Sequence, residues 1–283
     1  MKKTLTTPKG DRIAYVENGA GDPIVLIHGF TGNTSAWADT LTNLGKKYHV
    51  YAYDMLGHGE TVMADNDAVG DTALADQLHD FIVGLGLENV IVIAHSLGCC
   101  VLFQYVLKYG CEHWKGAILA DMTPAMNPSE DWDLIAEAFG LRQIAAGGFG
   151  SRAALQAMEE DYEGYMRAFF MAGLPTEGLN EEQIEFMYQG WYDLMVPELV
   201  KKVLASCQPD YRPALEKFTV STAYFYAAQS FILPNPDKIA AVYQERIVNA
   251  PFTLVPFDCA VHAFPEERNA EFVAQAEQFI ESI

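Results

Sequence analysis

The sequence predicts an α/β fold in which a mostly parallel, doubly wound sheet is interrupted by an inserted helical cap. Short apolar runs alternate with helical patterns over the first 121 residues and again beyond residue 216, as in proteins built from βαβ units. Between residues 123 and 215 the alternation stops and the pattern is mostly helical. The chain has 283 residues, half of them hydrophobic, which suits one large globular domain with an insertion.

Five apolar runs predict the first strands of the sheet. They are Ile13–Val16, Pro23–Ile27, His49–Tyr53, Val90–Ile93 and Ala117–Ala120. Helical patterns separate these runs at Thr34–Gly45, from about Asp71, and at Leu97–Tyr109. The run Val90–Ile93 has no polar alternation, which is typical of a strand buried on both faces of a parallel sheet. Helices are therefore expected to cover the sheet on both sides.

The end of the chain returns to the same alternation. Strands are predicted at Thr222–Tyr226 and Phe252–Val255, and helices at Asp237–Arg246 and from about Pro265. The stretch before them holds fifteen acidic and six basic residues, six of the ten methionines and twelve aromatic residues. We therefore expect a core domain of residues 1–122 and 216–283 and a helical cap of residues 123–215.

Net charge and composition exclude several classes of partner. With 18 basic and 38 acidic residues the net charge is −20, so a nucleic acid or an anionic membrane would have to bind against repulsion. No apolar window is long enough for a membrane span, and the N-terminus lacks the apolar stretch of a signal peptide. The five cysteines form no CxxC motif or disulfide framework, so a reducing, cytoplasmic setting is expected.

The sequence predicts no cofactor and no metal. It has no Gly-x-Gly-x-x-Gly after the early strands, no Walker pattern and no His-Glu-x-x-His spacing. Any chemistry is therefore expected to come from the side chains and main chain of the protein itself.

The segment Ala94-His95-Ser96-Leu97-Gly98 lies between a predicted buried strand and a predicted helix. A Gly-x-Ser-x-Gly turn in this context presents the serine hydroxyl at the carboxyl edge of the sheet, and Ala94 differs from that pattern by one methyl group. Small residues fit here because the strand and helix backbones pass closely. The helix N-terminus also favours negative charge beside the serine. The alternative interpretation of the pentapeptide is a serine that only caps the helix.

The chain resembles the α/β-hydrolase superfamily over nearly its whole length. The matching segments are His28-Gly29-Phe30-Thr31, Asp54-Met55-Leu56-Gly57-His58-Gly59, the turn at Ser96, and His262 before the last helix. The resemblance implies a nucleophile, an acid and a histidine in that order, with a helical cap. It also implies that the main-chain N–H groups of Phe30 and Leu97 form an oxyanion hole, which stabilises a developing negative charge.

Seven histidines are candidates for the general base. His28 and His58 lie in glycine-flanked turns, where a packing role is expected. His95 adjoins Ser96, but neighbours on such a turn point apart. His262 follows the last predicted strand, on a loop at the carboxyl edge, and is the predicted base. No catalytic neighbour is predicted for the other three, which are His49, His79 and His113.

The acid is predicted at an unusual place. Many members of the superfamily carry it in a Gly-x-x-Asp turn after the penultimate strand, and Ser230 stands at that position here. A serine cannot stabilise an imidazolium by charge. Asp121 ends an earlier strand, as the acid does in haloalkane dehalogenases, so we expect it to orient His262. Asp237 and Asp258 are the alternative acids.

These residues predict a serine hydrolase that cleaves a carboxylic ester or thioester through an acyl-enzyme. Ser96 excludes the alkyl-ester intermediate of haloalkane dehalogenases and epoxide hydrolases, which attack with an aspartate at this position. A cofactor-free perhydrolase, a lactonase, a carbon–carbon bond hydrolase and a non-catalytic ligand receptor remain alternatives. The substrate is expected to be a small molecule with an apolar acyl or aromatic part. Candidate pocket residues, most of them expected to pack within the cap, are Trp132, Phe139, Phe149, Tyr165, Phe169, Phe170 and Trp191.

Overall fold

Eight strands form one sheet in a computed structural model that describes residues 2–65, 70–125, 152–173, 179–193, 195–206, 210–230, 232–233 and 235–283. The strands are β1 (Lys3–Thr6), β2 (Arg12–Gly19), β3 (Pro23–Ile27), β4 (His49–Tyr53), β5 (Val90–His95), β6 (Trp114–Ala120), β7 (Ser221–Ala227) and β8 (Phe252–Phe257). Their order across the sheet is β1-β2-β4-β3-β5-β6-β7-β8. The pairs β1–β2 and β2–β4 are antiparallel and all the others are parallel, which confirms the predicted mostly parallel α/β sheet.

Helices alternate with the parallel strands along the chain. The described helices are α1 (Ala38–Leu44, after a 3₁₀ turn at Thr34–Trp37), α2 (Asp71–Gly84), α3 (Leu97–Tyr109), α4 (Arg152–Glu160), α5 (Tyr162–Gly173), α6 (Glu181–Tyr192), α7 (Pro197–Ser206), α8 (Arg212–Leu215), α9 (Pro236–Arg246), α10 (Phe264–Glu267) and α11 (Asn269–Glu281). None of these helices has the length and apolar character that crossing a bilayer requires.

The central strands are buried on both faces. In β3, Ile24 and Leu26 face a core that includes Phe272 of α11, whereas Val25 and Ile27 face the core on the other side of the sheet, with α2 and α3. The side chains of these four residues are fully buried. Successive side chains of a strand point to opposite faces of the sheet, so all of them are buried when both faces are covered. The sheet is therefore doubly wound, as predicted.

Strand β1 was not expected from the sequence. It pairs with β2 at the edge of the sheet, and three of its four side chains are exposed. Its only apolar residue is Leu5, so an edge strand of this kind has no apolar run or regular alternation to reveal it.

Five of the described helices, α4 to α8, lie between β6 and β7 in the chain, where the cap is predicted. Leu199 of α7 lies against the loop after β4, so close that a Cβ atom on Gly57 would be 2.9 Å from the Leu199 Cβ. In the same region Met195 forms a β-bridge with His58. The described helices of the insertion are thus in contact with the loop that follows β4.

Two of the predicted pocket residues, Phe170 and Trp191, pack within the predicted cap. The ring of Phe170 lies 5.3 Å from that of Tyr188 and 5.2 Å from that of Trp191. Tyr165 and Phe170 are buried. Trp132, Phe139 and Phe149 lie outside the described residues, as does the side chain of Phe169.

Candidate active site

Ser96 forms the tight turn between β5 and α3. Its φ of 54° and ψ of −122° lie outside the allowed regions for a residue with a Cβ atom, a strain that costs about 1–3 kcal/mol and needs support from the surroundings. The Ser96 N–H donates to the carbonyl oxygen of Ala120 on β6 at 2.9 Å, and the Ser96 carbonyl accepts from the Cys99 N–H at 2.8 Å. The side chain is half-buried among buried neighbours. This is the turn predicted from the pentapeptide.

Two glycines let the backbone approach this turn. A Cβ atom on Gly98 would lie 2.7 Å from the Ile27 carbonyl oxygen and 2.8 Å from that of His28. A Cβ atom on Gly29 would lie 3.1 Å from the Cβ of Ser96. The loop that follows β3 is therefore in van der Waals contact with Ser96, and it brings Phe30 to the same edge of the sheet.

Two buried histidines hold this loop by main-chain hydrogen bonds. The Met55 N–H donates to Nε2 of His28 at 3.0 Å, and the Thr31 N–H donates to Nε2 of His58 at 3.2 Å. Their Nδ1 atoms lie 2.8 Å and 3.1 Å from the carbonyl oxygens of Gly29 and Leu56, so both rings are neutral with the proton on Nδ1.

Burial lowers the pKa of both histidines, to about 3 for His58. Protonation of either ring would convert the acceptor Nε2 into a donor and break the bond to the main chain. These histidines shape the loop, as the packing role expected for them requires.

The carboxylate of Asp121 lies 2.7 Å from the His262 ring, measured from Oδ2 to Nδ1. Asp121 follows β6, has a left-handed φ of 50° and is fully buried. Its N–H donates to the Phe225 carbonyl at 2.8 Å, and its Oδ1 accepts from the Ala227 N–H at 2.9 Å, so β7 fixes both its main chain and its carboxylate. His262 comes from the loop after β8. Two predicted site residues 141 positions apart therefore meet at the carboxyl edge.

His95, the residue before Ser96, contacts the loop of His262. Its Nε2–H donates to the main-chain carbonyl of His262 at 2.9 Å, and the two ring centres are 4.6 Å apart. Burial, together with the nearby His262 ring, lowers the pKa of His95 well below its usual value. The sequence alone did not predict this contact of His95. The turn that holds Ser96 and the loop that holds His262 are therefore in direct contact.

The alternative acids bind other partners. Asp237 accepts a hydrogen bond from the Tyr226 hydroxyl at 3.1 Å, and Asp258 accepts one from the Gln229 side chain at 2.7 Å. Ser230 accepts main-chain N–H bonds from the two residues 232 and 233, at 3.3 Å and 3.0 Å. Ser230 thus shapes the turn after β7, where many relatives carry their acid.

Within the described residues, no group of three or more His, Cys, Asp or Glu side chains could hold a metal ion. Among the described residues, the polar groups at this edge include the Ser96 hydroxyl, the imidazoles of His262 and His95, the Asp121 carboxylate and the main chain of two loops. Such groups are suited to nucleophilic and general acid–base chemistry.

The fold and this edge of the sheet match the class of α/β enzymes that present a nucleophile on a strand–turn–helix. A family model described as the alpha/beta hydrolase fold matches residues 22–143. A Synechocystis sp. protein that bears a non-heme chloroperoxidase name is 30% identical over 252 residues, which are 86% of this chain and 86% of that protein. The chain therefore belongs to the α/β-hydrolase family, and it is an enzyme of that family.

Two solved structures show the same fold. An esterase from Exiguobacterium antarcticum, EaEST, superposes with a TM-score of 0.80 at 19% identity and covers 99% of this chain and 100% of its own. A bromoperoxidase from Bacillus anthracis gives a TM-score of 0.79 at 20% identity and covers 99% of this chain and 100% of its own. At these identities the likeness is one of fold alone.

Proposed function

We propose that this α/β-hydrolase is a serine hydrolase that cleaves a small carboxylic ester or thioester through an acyl-enzyme. The observation that supports the proposal most is the 2.7 Å contact between the buried Asp121 carboxylate and His262, whose loop touches the turn of Ser96. Ser96 is the nucleophile, His262 the general base and Asp121 the residue that orients the base.

The contact supports Nε2 as the nitrogen of His262 that takes part in the proposed reaction. A carboxylate accepts a hydrogen bond and cannot donate one, so Nδ1 of His262 carries the proton and Nε2 is free of it. Nε2 then takes the proton of Ser96 as the hydroxyl attacks the carbonyl carbon, and it returns that proton to the leaving group. The negative charge of Asp121 stabilises the imidazolium that forms between these steps. Water releases the acyl group in a second round of the same proton transfers.

The oxyanion of the tetrahedral intermediate needs two fixed donors. Leu97 is the first residue of α3, and the first N–H groups of a helix have no acceptor within the helix. The loop against Ser96 supplies Phe30, whose N–H is the proposed second donor. Donors held in place before the reaction each contribute about 3–4 kcal/mol to lowering the barrier.

The substrate proposal is a neutral or weakly charged small molecule. The net charge of −20 repels a polyanion, and the cap, which we place at residues 123–215, has its own excess of acidic residues. The esterase name of EaEST, although from a distant structure, agrees with an ester as the bond that is cleaved.

A perhydrolase is the second candidate, because two relatives and one structural neighbour bear haloperoxidase names. In this reaction hydrogen peroxide, in place of water, attacks the acyl-enzyme and yields a peracid. Peracid formation from acetate and hydrogen peroxide, compared with hydrolysis of p-nitrophenyl acetate, separates the two candidates.

Substitution of the nucleophile tests the proposal. Ser96→Ala should abolish hydrolysis of p-nitrophenyl esters and labelling by a fluorophosphonate probe, because alanine has no hydroxyl to acylate. The melting temperature should stay near that of the wild type. Ser221→Ala is the matched control, because Ser221 begins β7 and so lies at the amino edge of the sheet, away from Ser96. This variant should keep both ester hydrolysis and labelling by the probe. Wild-type protein that neither turns over esters nor takes up the probe would favour a ligand receptor.

A further inference from the structure

The backbone at Asp121 needs support that its own residue type does not give. A φ of 50° is unfavourable for a residue with a Cβ atom, so neighbouring groups must hold the peptide in place. The direction of the carboxylate depends on this peptide. A rotation that moved Oδ2 away from Nδ1 of His262 would remove the 2.7 Å contact on which the proposed mechanism rests.

Two tyrosines bind the carbonyl oxygen of the next residue, Met122. The Tyr243 hydroxyl of α9 donates to this oxygen at 2.7 Å, and the Tyr224 hydroxyl of β7 donates to it at 3.1 Å. The two rings are stacked, with centres 4.0 Å apart and planes 12° apart. Both side chains are fully buried. One carbonyl therefore uses both of its lone pairs on hydroxyls from two different elements.

Both hydroxyls keep their protons at and above neutral pH, so both can donate a hydrogen bond. Burial raises the pKa of Tyr224 well above its usual value, with the nearby Asp121 charge adding to the effect, and burial likewise raises that of Tyr243. Packing alone does not require the hydroxyls, because phenylalanine fills nearly the same volume. Burial costs each hydroxyl its hydrogen bonds to water, and the hydrogen bond to the Met122 carbonyl compensates for that loss.

We propose that Tyr224 and Tyr243 are positioning residues for the acid of the proposed hydrolase. By holding the Met122 carbonyl they fix the Met122–Thr123 peptide, one residue beyond Asp121, which limits movement of the chain at Asp121 and so keeps the carboxylate on Nδ1 of His262. The inference rests on the proposed function, since it gives the pair a role only if Asp121 orients the base.

The test uses Tyr224→Phe, Tyr243→Phe and the double variant, with p-nitrophenyl acetate as substrate. We expect each single change to lower kcat about threefold to tenfold, and the double change more, with KM within about twofold, because losing one neutral hydrogen bond shifts the acid only slightly. Tyr226→Phe is the matched control, since its hydroxyl binds Asp237 instead, and it should keep wild-type kcat.

Two readouts separate positioning from a general loss of stability. A displaced carboxylate stabilises the imidazolium less, so the pKa of the base in the kcat–pH profile should fall in the tyrosine variants. In an Asp121→Asn background the tyrosine changes should cost nothing further, because there is no carboxylate left to position. If the double variant does not fold, the single variants decide by the same measurements.

Wild-type kcat and pH profile in the single variants would overturn the inference, as would a loss of the same size in the Asp121→Asn background. Different variants test the proposed function. If Ser96→Ala or Asp121→Asn retains activity, the mechanism is wrong whatever the tyrosines do. If those two variants are inactive while the tyrosine variants behave as wild type, only the positioning role is lost.

Discussion

The Asp121 carboxylate divides its two oxygens between a main-chain amide and an imidazole. Oδ1 accepts from the Ala227 N–H and Oδ2 faces Nδ1 of His262, and no part of the side chain is exposed to solvent. A buried carboxylate with both oxygens paired is held in one orientation and interacts strongly with a charge beside it. The proposed role of Asp121 therefore depends on its charge as well as on its position.

Asp121→Asn separates charge from shape. The amide is nearly isosteric, but its NH₂ group donates to Nδ1 of His262 and so moves the ring proton to Nε2, where it blocks the base. We expect kcat for p-nitrophenyl acetate to fall by about three to four orders of magnitude, with little change in KM. Asp237→Asn and Asp258→Asn are the matched controls and should remain active. An active Asp121→Asn with an inactive control would show that another carboxylate is the acid.

Single residues differ in how far the sequence reveals them. Ser96, Asp121 and His262 each follow a predicted strand, and the carboxyl ends of parallel strands meet at one edge, so their meeting could be expected. The contacts of His95, Tyr224 and Tyr243 could not. Each joins side chains and carbonyls from elements far apart in the chain, and nothing local distinguishes such a tyrosine from one that only fills the core.

At the scale of elements, the strand–turn–helix of β5 and α3 depends on how closely α3 passes the end of β3. Gly98 is the point of contact, and the atoms it meets are main-chain oxygens, which cannot move aside as a flexible side chain would. The same approach places the loop of Phe30 against Ser96. Packing of the helix and geometry of the site are thus fixed by one residue.

Gly98→Ala should therefore lower both stability and activity. We expect the free energy of unfolding in urea to fall by about 1–3 kcal/mol, the usual cost of overpacking, and kcat to fall because the turn and the Phe30 loop are pushed apart. Gly190→Ala in α6 is the matched control, since a Cβ there meets no atom of the described residues within 4 Å. It should raise stability by up to about 1 kcal/mol through helix propensity. Equal effects of the two substitutions would contradict this account.

The elements of the sheet were largely predictable, and the exceptions have simple causes. The central strands are uninterrupted apolar runs because both faces are covered, and their predicted bounds differ from the observed ones by only a few residues. Strand β2 runs from Arg12 to Gly19, longer than the predicted Ile13–Val16, because its end pairs with β4 through residues that are not apolar. Strand β1, at the edge of the sheet, was not predicted for the same reason, because most of its residues are not apolar.

At the scale of the whole molecule, the protein combines a large net negative charge with several buried histidines that stay neutral. The net charge is −20, while His28, His58 and His95 are buried and have lowered pKa values. In the unfolded chain these rings take up protons below about pH 6.5, and in the folded chain they do not. Because the unfolded state binds more protons, stability must fall as the pH drops below that value.

For His58, whose folded pKa is about 3, this loss extends from pH 6.5 down to about pH 3. Each pH unit in that window should cost about 1.4 kcal/mol of unfolding free energy. Urea unfolding at pH 6.5 and pH 5 measures it, with His58→Asn compared with the wild type so that contributions of other groups cancel. The wild type should lose about 2 kcal/mol more than the variant over this interval.

An NMR titration provides the independent check. The ring resonances of His58 should keep the shifts of neutral imidazole down to about pH 5, since its pKa is about 3. Those of His28 and His95 should titrate below the usual pH of about 6.5, because burial lowers the pKa of both. A midpoint near pH 6.5 for any of the three would mean that its ring is not held as the structure describes.

The proposed acid, Asp121, and the turn of the proposed nucleophile, Ser96, follow the neighbouring strands β6 and β5, and the Ser96 N–H is itself bonded to the last residue of β6. With the proposed acid after β6, the turn after β7 contributes no side chain to the proposed chemistry. In that turn Ser230 accepts hydrogen bonds from two main-chain N–H groups. If the proposed triad is correct, that turn can vary in length and sequence over evolutionary time without loss of its members. Homologues that share an aspartate at position 121 should therefore diverge there sooner than relatives that carry their acid on it.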